Sequence, residues 1–342
     1  MTKILFIGPI NYSKRAYSGA PAKNQHLLSF LNSKYEDVKF IDTINFRKEP
    51  FTLFKIFFQI VFFQNRKIIF STSAGSTYVF VKFLFKFKIK RNLIFWVIGG
   101  DLGKHLLNRV YDPKYFTYFQ SIIVEGDSIK LDLERCGLNN VFVIPNFKKI
   151  FDLPSKKTDT NYLKFVFISR IMPEKGADLI LECAKRLNQM GISFTIDFFG
   201  QIDNNYENSF FNKLKNLNNV NYKGFLDLSC FENYKELTKY DVMLFPTYFK
   251  GEGFPGILID AFIAGLPIIS SNWNINPEIV ENNYTGLLIE SENPDALMNA
   301  MLLFVNKEVN IINMSKNCQK RAMDFKIENV LNNDILIQIG LK

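Results

Sequence analysis

Histidine is nearly absent from this 342-residue chain, which has only His26 and His105. A metal centre built on imidazoles is therefore not expected. Cysteine is sparse too. Cys136, Cys183, Cys230 and Cys318 stand far apart with no close pairing, so they are expected as buried or idle thiols in a reducing compartment rather than as a disulfide framework. No apolar run is long enough to span a bilayer: residues 51–63, FTLFKIFFQIVFF, are only 13 and include Lys55 and Gln59. Met1-Thr2-Lys3 leads directly into a strand pattern, so no secretory leader is expected. Gly8 has no glycine two or five residues on, which removes the dinucleotide fingerprint and counts against a dehydrogenase. Low-complexity tracts and recognised nucleic-acid motifs are also missing.

What remains is a globular composition, 47% hydrophobic, at a length that suits two domains with a core each. Apolar periodicity lapses in FKKIFDLPSKKTDTNYLK, after VFVIPNF. The expected division is residues 1–150, residues 151–325, and a tail, residues 326–342, with the option of packing back on the first domain. Recurrent strand-loop-helix units make the class α/β.

The most informative segment is residues 246–267, PTYFKGEGFPGILIDAFIAGLP. The short apolar run DVMLF precedes it, and a helical pattern closed by Gly265 and Pro267 follows. A helix start presents unpaired N–H groups and a partial positive charge, so the turn at residues 253–256, holding Gly253, Phe254 and Gly256, suits an anion such as a diphosphate. Glu252, just before the turn, is placed to accept bonds from sugar hydroxyls. Asp260, about one turn into the helix, is placed for a second hydroxyl pair such as that of a ribose.

Upstream, KFVFISRIMPEKGADLILECAKRL reads as a strand over residues 164–169, a loop carrying Arg170 and Lys175, and a helix with Leu179, Ile180, Cys183 and Leu187 on one face. A guanidinium fork and a mobile ammonium in one loop suit a diphosphate.

These two segments resemble the retaining glycosyltransferases of family 4, which have the GT-B architecture of two facing Rossmann-like domains with parallel sheets and an interdomain cleft. The resemblance rests on Glu252, the seven residues GFPGILI, Asp260, and then AFIAGLPIIS, together with Arg170 and Lys175. It implies that Glu252 contacts the transferred sugar, that amides of Gly256 and Ile257 hold the distal phosphate, that Asp260 binds the ribose, and that Arg170 and Lys175 stabilise the departing nucleotide. Asp260 replaces the usual glutamate and is one methylene shorter. Pro255 has no N–H to offer where many members have glycine. By the same resemblance Gly224 and Phe225, in VNYKGFLD, lie at the nucleobase, and Gly200 closes the strand ISFTIDFF at the carboxyl edge where ligands collect. PEIVENNYTGLLIE resembles the family's closing segment, and residues 293–305 read as an amphipathic helix.

In the first half, KILFIGPI is an opening strand, followed by a loop, NYSKRAYSGAPAKN, and a helix, QHLLSFL. Gly19 is the match to the family's donor-facing glycine. NLIFWVIGGDLGKHL gives a strand and the turn Gly99-Gly100-Asp101; many relatives have a histidine at this strand end, and here His105 lies six or seven residues beyond. Gly99, Gly100, Asp101 and His105 are carried as acceptor or cleft residues. At the hinge, Pro145-Asn146 is followed by Phe147, where family members commonly have glycine.

Charge is uneven. Residues 1–150 hold 23 Lys and Arg against 10 Asp and Glu, and aromatic residues crowd in the same half. In YVFVKFLFKFKIKR, Lys82, Lys86 and Lys90 recur every four residues beside Phe83 and Phe87, as one stripe of a helix. That pattern suits a surface helix attracted to anionic lipid; a domain core of phenylalanines with a solvated basic face is the other reading, and both stay open here.

The expected function is transfer of a hexosyl-type sugar from a nucleotide diphosphate sugar to a saccharide, with a lipid-linked acceptor in bacterial surface-polysaccharide synthesis and with retention taken from the family. Another GT-B enzyme, such as a sugar phosphorylase or epimerase, and a non-catalytic binding module are the alternatives. No metal or other cofactor and no nucleic acid is called for. The expected location is cytoplasmic, with a peripheral position at the inner membrane face left open.

Overall fold

Short apolar runs rich in Ile, Val and Phe, buried on both faces, are the pattern of parallel strands covered by helices, and each half of the chain supplies six of them. The computed structural model describes residues 2–11, 19–45, 49–62, 66–153, 162–228 and 231–342. The first sheet holds β1 (Lys3–Gly8), β2 (Asp37–Asp42), β3 (Arg66–Ser73), β4 (Asn92–Ile98), β5 (Ser121–Val124) and β6 (Val141–Val143), in the order β2-β1-β3-β4-β5-β6. The second holds β7 (Leu163–Ile168), β8 (Phe194–Phe199), β9 (Val220–Tyr222), β10 (Val242–Phe245), β11 (Ile268–Ser271) and β12 (Gly286–Ile289), in the order β12-β11-β10-β7-β8-β9. Every pairing is parallel. In the second sheet the winding direction reverses between β7 and β10, and the carboxyl edge at such a reversal is where ligands of these sheets bind.

The chain divides into two compact units, Met1–Lys148 with Lys326–Lys342, and Lys149–Phe325. The C-terminal segment joins the first unit because its apolar residues complete that core: Val330, Leu336, Ile339 and Leu341 pack with Ile4, Phe6, Trp96 and Phe147. Ser121 Oγ donates to the Ile339 carbonyl at 3.0 Å and Tyr35 Oη to that of Leu341 at 3.2 Å. Phe147 is buried edge-on against Trp96, with ring centroids 6.2 Å apart, so the residue in place of the hinge glycine serves as a plug of this core. Residues 154–161, within the expected hinge, lie outside the described residues, as do most of the loop after β1 and Cys230.

Several boundaries differ from the sequence reading. The first helix is Gly19–Lys34, not QHLLSFL alone; Gly19 and Pro21 look like breakers, but the first turn tolerates both because its N–H groups have no helical partner. The helix carrying the lysine stripe is Ala74–Lys86; Phe87 caps it and Lys88 has a φ of +52°, so Lys90 falls outside it and the stripe shortens to Lys82 and Lys86. The preceding helix, Pro50–Phe62, buries Ile56 and Ile60 but leaves Phe51, Phe54 and Phe62 exposed by 84, 64 and 62%. A plain core does not account for these three phenylalanines. Among the described residues no helix is long and apolar enough to cross a membrane.

Candidate active site

The loops leaving β7, β8 and β9 lie against one another, and glycine is what lets them. Gly200 has a φ of +140°, and a Cβ on it would stand 1.8 Å from the Ser169 carbonyl oxygen. Its N–H donates to the Gly224 carbonyl at 2.7 Å, and Gly224 is itself left-handed at φ +76°. Phe225, next to it, is 55% exposed.

Arg170 is exposed just beyond β7, and Lys175 ends a short 3-10 turn, Pro173–Lys175. Gly176 then starts the helix Ala177–Gln189 with a φ of +88°, and a Cβ there would meet the Pro246 carbonyl oxygen at 2.4 Å. The loop after β10 is therefore drawn tightly against the loop after β7. The Tyr248 N–H donates to the Glu174 carbonyl at 2.8 Å, stitching the two together, and burial followed by the nearby Glu174 and Glu292 pushes the Tyr248 phenol up.

Lys175 and Glu252 meet across this seam. The Lys175 ammonium is ion-paired with Glu252 Oε2, and both side chains are buried. Thr247 Oγ1 donates to the same oxygen at 3.0 Å. Among the described residues Glu252 Oε1 accepts no hydrogen bond, so one oxygen of the carboxylate is held and the other is left for a ligand. Phe249 lies under the cations, its centroid 4.9 Å from Lys175 Nζ and 6.0 Å from the Arg170 guanidinium carbon. The loop after β11 braces the floor: Trp273 Nε1 donates to the Phe249 carbonyl at 2.9 Å and Asn274 Nδ2 to that of Glu252 at 3.1 Å.

The turn then enters the helix Gly256–Ile263 with Pro255 at its N-cap. Gly253, Gly256 and Ile257 are half-buried, and the first helical N–H groups have no intrahelical acceptor. The Phe254 side chain is directed to packing, edge-on to Phe325 at 5.5 Å, so only its backbone is on offer to a ligand. Asp260 is buried, and Tyr234 Oη donates to its Oδ1 at 2.5 Å from the helix Phe231–Leu237.

The structure thus brings Arg170, Lys175, Gly200, Gly224 and Glu252 to one sheet edge, with Gly256, Ile257 and Asp260 on the helix that follows. Gly19, Gly99, Gly100, Asp101 and His105 belong to the other unit. Gly19 opens its helix at φ +69°, Gly99 ends β4 at φ +93°, and Gly100 and Asp101 lead into the helix Leu102–Leu107. The His105 ring lies 5.1 Å from that of Tyr111, and among the described residues its buried Nδ1 has no hydrogen-bond partner. Thr247, Phe249, Trp273 and Tyr234 were not singled out from the sequence. Thr247 and Phe249 stand inside residues 246–267, where an aromatic among loop cations is the signal the sequence offers.

The family described as glycosyl transferases group 1 matches residues 148–325, just over half of the chain. A curated relative, the UDP-Gal:alpha-D-GlcNAc-diphosphoundecaprenol alpha-1,3-galactosyltransferase of Escherichia coli, is 29% identical over 170 residues, 48% of this chain and 42% of that protein. The chain spans less than two thirds of the length of such curated relatives. Among solved structures, the lipopolysaccharide outer core galactosyltransferase WaaB in apo form superposes with a TM-score of 0.74 at 15% identity, covering 98% of each chain. The Anabaena HepE protein in complex with UDP superposes with a TM-score of 0.71 at 14% identity, covering 99% of this chain and 100% of that one. At such identity the likeness shows the fold: two units with parallel six-stranded sheets, the GT-B type.

Proposed function

The chain belongs to the glycosyl transferases group 1 family, and we propose that it moves a hexosyl-type sugar, with retention, from a nucleoside diphosphate sugar to a saccharide on a lipid carrier in bacterial surface-polysaccharide synthesis. The observation that carries this is the Arg170, Lys175 and Glu252 cluster at the point where the second sheet reverses its winding, next to a helix start. The donor diphosphate lies over Arg170, Lys175 and the amides of Gly256 and Ile257, and Glu252 Oε1 accepts from a hydroxyl of the donor sugar. The acceptor hydroxyl attacks the anomeric carbon on the face that the nucleotide leaves. A glycosidic C–O bond forms, the bond from the anomeric carbon to the phosphate oxygen breaks, and the hydroxyl proton passes to the leaving phosphate. Fixed cations and amide dipoles stabilise the charge that grows there; no metal or other cofactor takes part in this scheme.

The UDP bound by the Anabaena neighbour and the lipid diphosphate acceptor in the Escherichia coli relative's name support the choice of donor and carrier. The exposed phenylalanines of the helix Pro50–Phe62 and the basic balance of the first unit support a membrane face there. The test is a panel of nucleotide sugars with saccharide acceptors, following nucleotide release and the anomeric configuration of the product. Consumption of orthophosphate, or no nucleotide release from any donor, overturns the assignment; an inverted product overturns retention.

A further inference from the structure

In the first unit a cavity of about 520 Å³ lies between the helices Pro50–Phe62 and Ala74–Lys86. That is within the range of roughly 300–1,000 Å³ for small-molecule pockets. Its body is apolar, walled by Ile56, Ile60, Phe80, Phe83 and Leu84, and Phe57 closes on Phe83 edge-to-face with ring centroids 5.3 Å apart. Leu53 and Val79, 40 and 68% exposed, mark where it opens to solvent.

One end has a different chemistry. Thr43, Thr72, Ser73 and Ser76 line the cavity at the carboxyl edge of the first sheet, beside β1 and β3, where its strand order also reverses direction. The hydroxyls there are close-set: Thr72 Oγ1 is 2.7 Å from Thr77 Oγ1, and Ser73 Oγ is 3.2 Å from Ser76 Oγ. An apolar slot with a hydroxyl-lined end suits a molecule with an aliphatic chain and a hydrogen-bonding head such as a saccharide. A wholly polar saccharide leaves the slot unfilled.

We propose that this cavity binds the aliphatic chain of the lipid-linked acceptor, with the head at the hydroxyl-lined end. The proposal rests on the reading of a lipid-carried acceptor given above and adds where the carrier is held. The exposed phenylalanines of the helix Pro50–Phe62 keep the opening at the bilayer surface.

The probe is dodecyl phosphate, below its micelle-forming concentration, titrated calorimetrically into the full chain, with butyl phosphate as the short-chain control. The expected result is saturable binding of one dodecyl phosphate per chain and none of butyl phosphate. Leu53→Trp and Val79→Trp fill the slot from its exposed rim without touching the core. Two methylenes kept out of the cavity cost about tenfold in affinity, so each variant is expected to bind at least that much more weakly. No binding by the wild type, or unchanged binding in both variants, overturns the proposal. The source of the chain is read from vesicles of equal charge, containing either a polyisoprenyl phosphate or phosphatidylglycerol. The wild type is expected to pellet better with the former, and the filled variants to lose that preference; equal pelleting assigns the slot to bilayer lipid and overturns the acceptor. None of these readouts requires sugar transfer. A protein that binds dodecyl phosphate but releases nucleotide from no donor sinks the transferase reading and leaves the cavity standing.

Discussion

Lys175 and Glu252 neutralise each other inside the protein, one from the loop after β7 and one from the loop after β10. The pair fastens the two loops across the point where the sheet reverses its winding, and it keeps both charges in the place where the donor is proposed to bind. A buried pair is a poor source of net stability, but removing one partner strands the other charge.

Arg170 and Lys175 should therefore behave differently when truncated. Each faces charge developing on the leaving diphosphate, and losing one such contact costs on the order of 3 kcal/mol of barrier, about a hundredfold in turnover. Arg170 is exposed, so Arg170→Ala should change stability by no more than about 0.5 kcal/mol. Lys175→Ala should cost roughly 3–5 kcal/mol as well, because Glu252 is left buried and unpaired. Adding Glu252→Gln to Lys175→Ala should recover stability without recovering turnover. Urea unfolding beside turnover checks this, and equal stability of the two single variants would show that the pair does not form.

The glycines along this edge give a second contrast. Gly200→Ala puts a Cβ into the Ser169 carbonyl in a left-handed conformation, so a loss of more than about 3 kcal/mol is expected. Gly224→Ala meets open space and should cost only the backbone term of roughly 1–2 kcal/mol. Thermal melting of the two variants decides it, and equal shifts would mean that the close approach at Gly200 is not maintained.

How much of the site could be read from the sequence follows from what is local. Arg170, Lys175, Glu252 and Asp260 each lie in a strand-loop-helix unit whose punctuation is visible within about ten residues, and the matching turn chemistry exposes them. Trp273 owes its role to the adjacency of β10 and β11, and Tyr234 meets Asp260 from a neighbouring helix; no spacing within a segment reports such contacts. The end of the helix Ala74–Lys86 was hidden for another reason. Lys88 adopts a positive φ without the glycine that ordinarily marks a helix stop, so nothing in the sequence separates Lys90 from the lysine repeat.

Stability should fall on the alkaline side. Burial pushes the Cys183 thiol up to about 12 and Cys318 well above its ordinary value. Burial, aided by Asp178 and Asp197, raises the phenols of Tyr206 and Tyr240. For each group the folded state holds its proton to higher pH than the unfolded chain does. The stabilisation is complete below the unfolded value, near 9 for the thiols, and is lost as pH rises from there toward the folded value. Urea midpoints should be level from pH 7 to 8 and decline above pH 9, as expected from ordinary thiol and phenol values of about 8.5 and 10. Cys183→Ala should flatten part of the decline, and midpoints that rise over that range contradict the assignment.

The first unit should bind anionic vesicles in a salt-dependent way. Each lysine near such a surface contributes roughly 1 kcal/mol, and the attraction fades beyond a Debye length of about 10 Å at 0.1 M salt. Reversing Lys82, Lys86 and Lys90 to glutamate should abolish co-sedimentation at low salt, with Lys90 contributing from the loop. Phe51→Ser with Phe54→Ser should weaken binding at all salt concentrations, since the lost contribution is apolar. Equal pelleting with anionic and neutral vesicles would remove the membrane face from this helix pair.

The division of labour between Glu252 and Asp260 is open to a direct test. Glu252 Oε2 is occupied by Lys175 and Thr247 while Oε1 is left for a ligand, so the proposed bond to the donor sugar uses Oε1. Glu252→Gln should then slow transfer by about a hundredfold if one charge-assisted contact is weakened in the transition state, while free nucleoside diphosphate, which lacks the sugar, binds nearly as before. Asp260, proposed for the ribose, is buried with Tyr234 Oη donating to its Oδ1, which makes the phenol its positioning group. Asp260→Asn should weaken the nucleotide itself by about tenfold, corresponding to the 1.4 kcal/mol of a lost charge-assisted hydrogen bond. Tyr234→Phe should weaken it less, because the carboxylate remains but is no longer held in orientation. Calorimetry with the nucleotide alone ranks the variants: Asp260→Asn weakest, Tyr234→Phe intermediate, Glu252→Gln near the wild type. If Glu252→Gln lost nucleotide binding as fully as Asp260→Asn, both carboxylates would be serving the nucleotide, and the assignment of Glu252 to the sugar would fall.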